Sequence, residues 1–284
     1  MKRIFSLLLA LLLLSVSFGC TIVSRVTQYA NAGKYTAGGF TYEASDVKRV
    51  EVDWAGGDVT LSNGTGRLSV SESGGDALAT SERLHWWLDG TTLRIKYCES
   101  GYTHIISTKN KHLYLQLPAD VELKIDLASG GIDAETLEVG SLDVNKASGG
   151  MKITSLRADE IRIDSASGST ELHTVSVRDT FRVDTASGGL SVEHISANTV
   201  KVDSASGGVR LGLDAADTVD IDVASGKVSV KLWDAARGAT VRLGQLAGTF
   251  DCKLPMTASG KTYLIGGGET QINIDTASGG VTIE

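Results

Sequence analysis

The chain repeats one short phrase, Asp-x-Ala-Ser-Gly-Gly followed by an apolar residue. Its Ala-Ser-Gly core occurs at Ala128, Ala147, Ala166, Ala186, Ala205, Ala224, Ala258 and Ala277, and the first five gaps are 19, 19, 20, 19 and 19 residues. Self-similarity at a fixed period of this size marks a stacked repeat, in which each unit buries its apolar face against its neighbours. Counted from each Ala, apolar residues fall in pairs at +4/+6, +9/+11 and +14/+16. One unit gives Ile132, Ala134, Leu137, Val139, Leu142 and Val144; the next gives Met151, Ile153, Leu156, Ala158, Ile161 and Ile163; a later one gives Leu190, Val192, Ile195, Ala197, Val200 and Val202. A spacing of two puts both members of a pair on one face of a strand. The positions between them are mostly polar, as at Lys152, Arg162, Glu193 and Lys201. Three short inward-facing strands per unit describe one coil of an all-β, single-chain β-solenoid with about 19–20 residues per coil. The sustained period of two, the many β-branched residues and the recurring Gly disfavour helix.

Ser-Gly-Gly is expected to make the corner, because Gly accepts positive φ without a Cβ clash. Ala is expected to tuck inside the bend. The residue two before Ala is Asp at Asp53, Asp126, Asp164, Asp184, Asp203, Asp222 and Asp275, with Asn145 the exception. Asx side chains bond backbone N–H groups two residues on, so these are expected to cap the turns. Stacked coils lie roughly 4.8 Å apart, which makes the carboxylates a like-charge ladder. The alternative is a weak calcium-type cation ladder over Asp164, Asp184, Asp203 and Asp222, since calcium takes oxygen ligands. No cofactor is expected.

At the N-terminus Lys2 and Arg3 precede an apolar run from Ile4 to Phe18, then Gly19 and Cys20. Residues 1–19 read as an export signal. Three fates stay open: a lipoprotein-type signal with Cys20 lipidated, ordinary cleavage after Ser17-x-Gly19, or an uncleaved anchor over Ile4 to Val23 with its basic end inside. All three put residues 25–284 outside the cytoplasm, and two attach them to the bacterial membrane or envelope. Residues 20–46 read as a flexible tether.

Residues 47–122 read as the solenoid start plus a capping β-hairpin. Val50-x-Val52-Asp53 through Leu61 match the spacing of Leu123-x-Ile125-Asp126 through Ala134. Leu84, Trp86 and Leu88 alternate, Asp89-Gly90 follows, and Leu93, Ile95 and Tyr97 alternate again, which is a hairpin signal. A further strand holds Leu113, Leu115 and Leu117 and stops at Pro118. Repeat arrays need such caps, because a bare terminal edge invites pairing with other chains. Residues 123–284 read as solenoid repeats that loosen from Trp233 to Pro255, where Leu246, Phe250 and Cys252 still fit positions zero, +4 and +6. The last full coil is expected to start at Ala258. The chain ends half a coil on, at Val281 and Ile283, leaving an edge for residues 233–256 or for a partner to cover.

A net charge of −7 argues against nucleic acid, which needs a basic footprint, and against binding anionic lipid by charge. Eight serines in identical turns read as structural, and there is no Gly-x-Ser-x-Gly elbow. Ser45-x-x-Lys48 matches an acyl-enzyme pattern by letters only. His173 and His194, at +7 and +8 of adjacent units, approach each other on one face and read as exposed turn residues rather than a metal pair. Polysaccharide-cleaving solenoids need Asp clustered with Arg or Lys in one groove. Here the outward Lys and Arg look scattered and the Asp ladder falls at a corner, so no catalytic residue is assigned. Cys98 and Cys252 are an extracellular disulfide pair or buried free thiols; the inward register of Cys252 favours the latter. Asn63-Gly64-Thr65 has the letters of a glycosylation site and the composition of a turn. Trp86 and Trp87 point to opposite strand faces. With Tyr97 and Tyr102 they form either a sugar-contacting patch or a packed cap.

Leu117-Pro118-Ala119-Asp120-Val121, followed by Leu123-x-Ile125 and Ala128-Ser129-Gly130-Gly131-Ile132, resembles the bacterial "putative adhesin" β-strand-repeat family. So do Leu93-x-Ile95 and the recurring Ser-Gly-Gly corners. The likeness spans about residues 47–284. It implies an exported or membrane-tethered β-solenoid without assigned catalytic residues, linked in some members to surface attachment or envelope-stress sensing. The expected function is therefore non-enzymatic: a surface-tethered scaffold that binds a surface protein or glycan or organises the envelope. The alternatives are a carbohydrate-binding or carbohydrate-cleaving solenoid using the Trp86, Trp87 and Tyr102 end, and a structural rod that self-associates through its C-terminal edge.

Overall fold

The computed structural model describes residues 25–26, 28–43, 46–73, 77–104 and 111–284. The expected export signal over residues 1–19, Cys20 and Ser45 lie outside the described residues. The chain is a β-solenoid. Its regular coils are the long strands Met151–Ser167, Thr170–Ser187, Leu190–Ser206 and Val209–Ser225, hydrogen-bonded in parallel, rung on rung. All eighteen apolar positions named above for three units are buried. The three expected strands per unit are segments of one continuous strand. It bends where two outward residues follow each other, as at Thr154–Ser155 and Asp159–Glu160. Each bend restarts the alternation, so the next pair again faces inward.

The corner differs from expectation in one respect. Ala is half-exposed or exposed, and the residue before it points in: Trp54, Leu127, Lys146, Ser165, Thr185, Ser204, Val223 and Thr276 are all buried. The cause is alternation, which carries the inward face from +14 and +16 to +18, one residue short of the next Ala. The corner Ser hydroxyls donate to the Ala carbonyl one rung away, from Ser148 to Ala128 at 3.3 Å and from Ser167 to Ala147 at 3.1 Å. The first corner Gly has positive φ on each rung, +104° at Gly149 and +143° at Gly207.

Lys146 takes the inward corner position and is 3% exposed. Its Nζ donates to the carbonyls of Gly149 at 2.9 Å and Ser169 at 3.4 Å. Burial lowers its pKa to about 8. The folded state thus releases this proton at a lower pH than the unfolded chain, whose lysine titrates near 10.4. Stability should rise with pH between about 8 and about 10.4, because there the unfolded state binds more protons. Lys146→Met should stabilise the fold at pH 7, by roughly 2 kcal/mol, and gain little at pH 10.5. Urea titrations at both pH values check this; an equal effect at both would discard the account.

Both ends are closed by the same device. At the C-terminal end Thr270–Ser278 pairs with Val209–Ser225 on one side and with Ala239–Ala247 on the other. Val281–Ile283 lies likewise between Val228–Leu232 and Phe250–Cys252. The last residues of the chain therefore form the penultimate rung, and residues 239–252 form the outer one. The edge at Val281 and Ile283 is covered, as expected, from residues 233–256, by strands 239–247 and 250–252. Leu246, Phe250 and Cys252 hold the register expected of them, since residues 245–247 run beside 276–278 and Phe250 and Cys252 face Val281 and Ile283. Ala258 does not open a coil. Met256–Ser259 and Thr262–Ile265 form an antiparallel hairpin, turned at Gly260, that lies on the edge of Ala239–Ala247.

At the N-terminal end Arg49–Trp54 lies between Glu122–Leu127 and Thr92–Lys96, and Val59–Asn63 between Ile132–Glu138 and Leu113–Leu117. The expected hairpin pairs His85–Asp89 with Thr92–Lys96 around Gly90. Residues 28–43 are not the expected tether. Thr36–Ala37 adds to His85–Asp89, and Phe40–Glu43 adds to Arg67–Glu72. The Tyr29 hydroxyl donates to the Cys98 carbonyl at 3.0 Å. Their aromatic residues, Tyr29, Tyr35 and Phe40, seal rings of the cap that would otherwise be wet.

Candidate functional site

The Asp column is neither at the corner nor a set of turn caps. These residues lie within strands that run up to the corner, on the outer face of the parallel sheet. Beside them runs a second outward column, Lys124, Asp143, Arg162, Arg182, Lys201, Asp220, Asn273 and Arg242, each in register with the next. Basic residues that look scattered in sequence are thus adjacent in space. Arg162 Nε meets Asp164 at 2.9 Å. Arg182 clamps Asp184 at 2.7 Å and reaches Asp203 on the next rung at 2.9 Å. Asn145 donates to Asp126 at 2.9 Å and Lys96 to Asp53 at 3.1 Å. Over Asp164, Asp184 and Asp203 the like charges are met by the guanidinium groups of Arg162 and Arg182. Burial nonetheless raises the Asp164 pKa, with Arg162 opposing and Asp184 adding to the shift. Calcium at millimolar concentration should change the melting temperature only slightly. A large rise, abolished by Asp184→Asn and Asp203→Asn, would restore the cation-ladder reading.

Toward the C-terminal end this face deepens into a groove of about 880 Å³. Its floor carries Asp203, Asp220, Asp222 and Asp275; its cations are Arg182, Lys201, Arg242 and Lys261. Gly244 takes the ladder position on the outer rung, and Asp275 leans over it: a Cβ on Gly244 would stand 1.8 Å from Asp275 Oδ1. The Asp275 carboxylate thus occupies the space a side chain at Gly244 would need, and Arg242 and, from the hairpin turn, Lys261 line the groove beside it. Arg182 is spent on Asp184 and Asp203. Asp220 accepts from Asn273 Nδ2 at 2.8 Å. Among the described residues no carboxylate is within ion-pair distance of Lys201, Arg242 or Lys261. Such a groove can hold a ligand by charge and by many hydrogen bonds.

The sequence reading missed Arg242 and Lys261, because they arrive on a rung out of chain order and on a hairpin. One signal was present: Gly244 stands two residues before Leu246, where the ladder elsewhere has Asp.

The aromatic candidates do not come together as one patch. Trp86 packs inward against Phe40, ring centroids 3.9 Å apart. Trp87, on the opposite strand face, meets the Tyr35 ring edge-on at 5.7 Å and lies under Lys34 Nζ at 4.6 Å. The Tyr102 hydroxyl donates to Glu82 at 3.1 Å. All three serve the N-terminal cap. His173 and His194 do meet, with centroids 6.0 Å apart. Their Nδ1 atoms face Glu193 at 2.6 Å and Asp214 at 3.0 Å. His194 also stacks on Trp233 at 4.4 Å. Among the described residues no group of three or more metal-type side chains is found. Cys98 and Cys252 are both free and belong to opposite ends of the stack, which rules out a pair within one chain. Cys98 is the buried thiol, its pKa pushed up to about 11 by burial; Cys252 is half-buried. Asn63 spends its amide on the backbone of Glu138, so its glycosylation letters are structural.

Comparisons agree with this architecture. A family profile described as "Toastrack DUF4097" matches residues 47–284. A crystal structure of a "putative adhesin" from Bacteroides fragilis superposes with a TM-score of 0.53 at 12% identity, covering 87% of this chain and 96% of that one. A "putative adhesin" from Parabacteroides distasonis gives 0.44 at 16% identity, covering 88% and 97%. At 12% identity the likeness to the Bacteroides fragilis structure concerns the fold alone. No curated protein matches the chain.

Proposed function

The chain belongs to the Toastrack DUF4097 family, and from that premise we propose that it is a non-enzymatic, adhesin-like scaffold held outside the cytoplasm. The leader through Cys20 would attach it to the bacterial membrane, by a lipid or by an uncleaved helix. Its rigid outer face would then carry the contact with a surface protein or glycan. The observation that supports this most is the groove at the C-terminal end of the polar face: among the described residues, its cations Lys201, Arg242 and Lys261 have no carboxylate partner. Of its carboxylates, Asp203 is engaged by Arg182, Asp220 by Asn273, and Asp275 lies over Gly244. The aromatic end is the weaker contact surface, because its rings are committed to the cap.

Protease treatment of intact cells, with fractionation and with Cys20→Ala, tests the placement. The native chain should be cleaved from outside and should sediment with membranes, and lipid attachment predicts release by Cys20→Ala. A chain found only in the cytosol would end the proposal. Chemical cross-linking on intact cells then asks for a surface partner. The closed ends favour a monomer, so light scattering at high concentration should show one chain per particle. Concentration-dependent growth would instead support the rod that assembles through its C-terminal edge.

A further inference from the structure

We infer that the C-terminal groove binds an acidic oligosaccharide, its carboxylates on Lys201, Arg242 and Lys261 and its hydroxyl groups on the neighbouring aspartates. The inference rests on the scaffold reading above and names the ligand for its groove.

Two features fix the chemistry. The first is the set of cations without carboxylate partners. A guanidinium and an ammonium, Arg242 and Lys261, line the groove beside Gly244 and Asp275. Arg presents a fork suited to carboxylate oxygens, and Lys adds a point charge. The second is the acceptor-rich floor. Asp203, Asp220, Asp222 and Asp275 line the same groove, and carboxylates only accept hydrogen bonds. A ligand bearing phosphates alone would meet four like charges. An acidic peptide would satisfy the cations but bring few donors for the aspartates. Uronic-acid chains carry both kinds of group on every unit, a carboxylate and hydroxyl donors. The groove offers no aromatic ring, so a neutral sugar would find no stacking platform.

Length follows from the register. Lys201 pairs with Asp220, Asp220 with Asn273, and Asn273 with Arg242. Lys201 and Arg242 are therefore three rungs apart, roughly 14 Å at about 4.7–4.8 Å per rung. One sugar cannot touch both, so the ligand is an oligomer lying along the stack axis. Its recognition should weaken with salt, because the cations are at the surface.

The test uses the full chain and calorimetric titration with tetragalacturonate. Its methyl ester, a tetra-glutamate peptide and a short polyphosphate are the controls. Tetragalacturonate should bind, more weakly at high salt, and esterification should abolish binding. Arg242→Glu and Lys261→Glu should each weaken it about tenfold or more at unchanged melting temperature. Lys152→Glu, an exposed change of the same charge on another side of the coil, should leave it intact. No binding at millimolar ligand, equal binding of the peptide or polyphosphate, or full affinity in both groove variants would overturn the inference. If the inference fails while cross-linking still captures a surface partner, the ligand class is wrong and the scaffold stands. If both fail, the scaffold reading goes with it.

Discussion

Gly207→Ala should cost on the order of 4 kcal/mol or more, whereas Gly208→Ala, one residue on, should stay within about 0.5 kcal/mol. At Gly207 φ is +143°, and an added Cβ would stand 2.0 Å from the Gly188 carbonyl oxygen and 2.8 Å from its carbon. A left-handed conformation alone costs an L residue about 1–3 kcal/mol. The clash comes on top, and it is with backbone, so it is relieved only by parting two rungs that share a hydrogen-bond ladder. Gly208 has an ordinary φ and would meet only the Lys227 carbonyl oxygen at 3.7 Å. The chain itself makes the second substitution elsewhere, with Ser169 and Lys227 at the equivalent corner. Urea denaturation of the two variants compares them directly. If Gly207→Ala fell within 1 kcal/mol of Gly208→Ala, the corners would not be spaced by their glycines.

Glu72→Ala should destabilise the N-terminal cap by roughly 3–5 kcal/mol, and Glu72→Leu combined with Lys111→Met should recover most of that loss. The Glu72 and Lys111 side chains are 2% and 3% exposed and meet at 2.8 Å. Glu72 Oε1 accepts from the Leu84 amide at 2.7 Å, and Lys111 Nζ donates to the carbonyls of Glu82 and Tyr97. The ammonium also faces the rings of Tyr97 and Trp54 at 4.1 and 5.1 Å. Removing the carboxylate leaves a buried cation without its counter-charge, whereas removing both charges leaves only neutral groups unpaired, the Leu84 amide and the Glu82 and Tyr97 carbonyls, at a smaller cost. Burial already lowers the Lys111 pKa. In Glu72→Ala it should fall further, so the penalty should shrink as pH rises toward 10, where the lysine can lose its proton. A double-mutant cycle at pH 7 and pH 10 reads both effects. A double variant no better than Glu72→Ala would mean that the pair is held by shape rather than charge.

The coils were legible because one rule governs them. Two residues per strand period and one Gly per corner are local facts, and they placed Ile153, Leu156 and Val202 in the core before any coordinates. The hairpin at Asp89-Gly90 was legible for the same reason. What escaped was set by contacts between segments far apart in sequence. Arg182 serves Asp203, 21 residues away, so the ladder looked unpaired until the rungs were stacked. Tyr29 and Phe40 lie in a stretch without periodicity, and only their partners Cys98 and Trp86 make it ordered. Ala258-Ser259-Gly260 copies the corner phrase yet turns a hairpin. Three letters fix a turn and not the rung it joins. The groove combines these failures: Arg242 comes from a rung whose spatial order departs from chain order, and Lys261 from the hairpin that the corner phrase disguised.

That reversal of order at the C-terminal end bears on how the stack is completed. Residues 209–225 and 239–247 lie on either side of one strand, and only residues 270–278 fill the place between them. A product truncated before that point, by early termination or by a protease, would have a vacant rung in its interior instead of a frayed tip. The groove, whose lining includes Asn273 and Asp275, exists only once that inserted strand is in place.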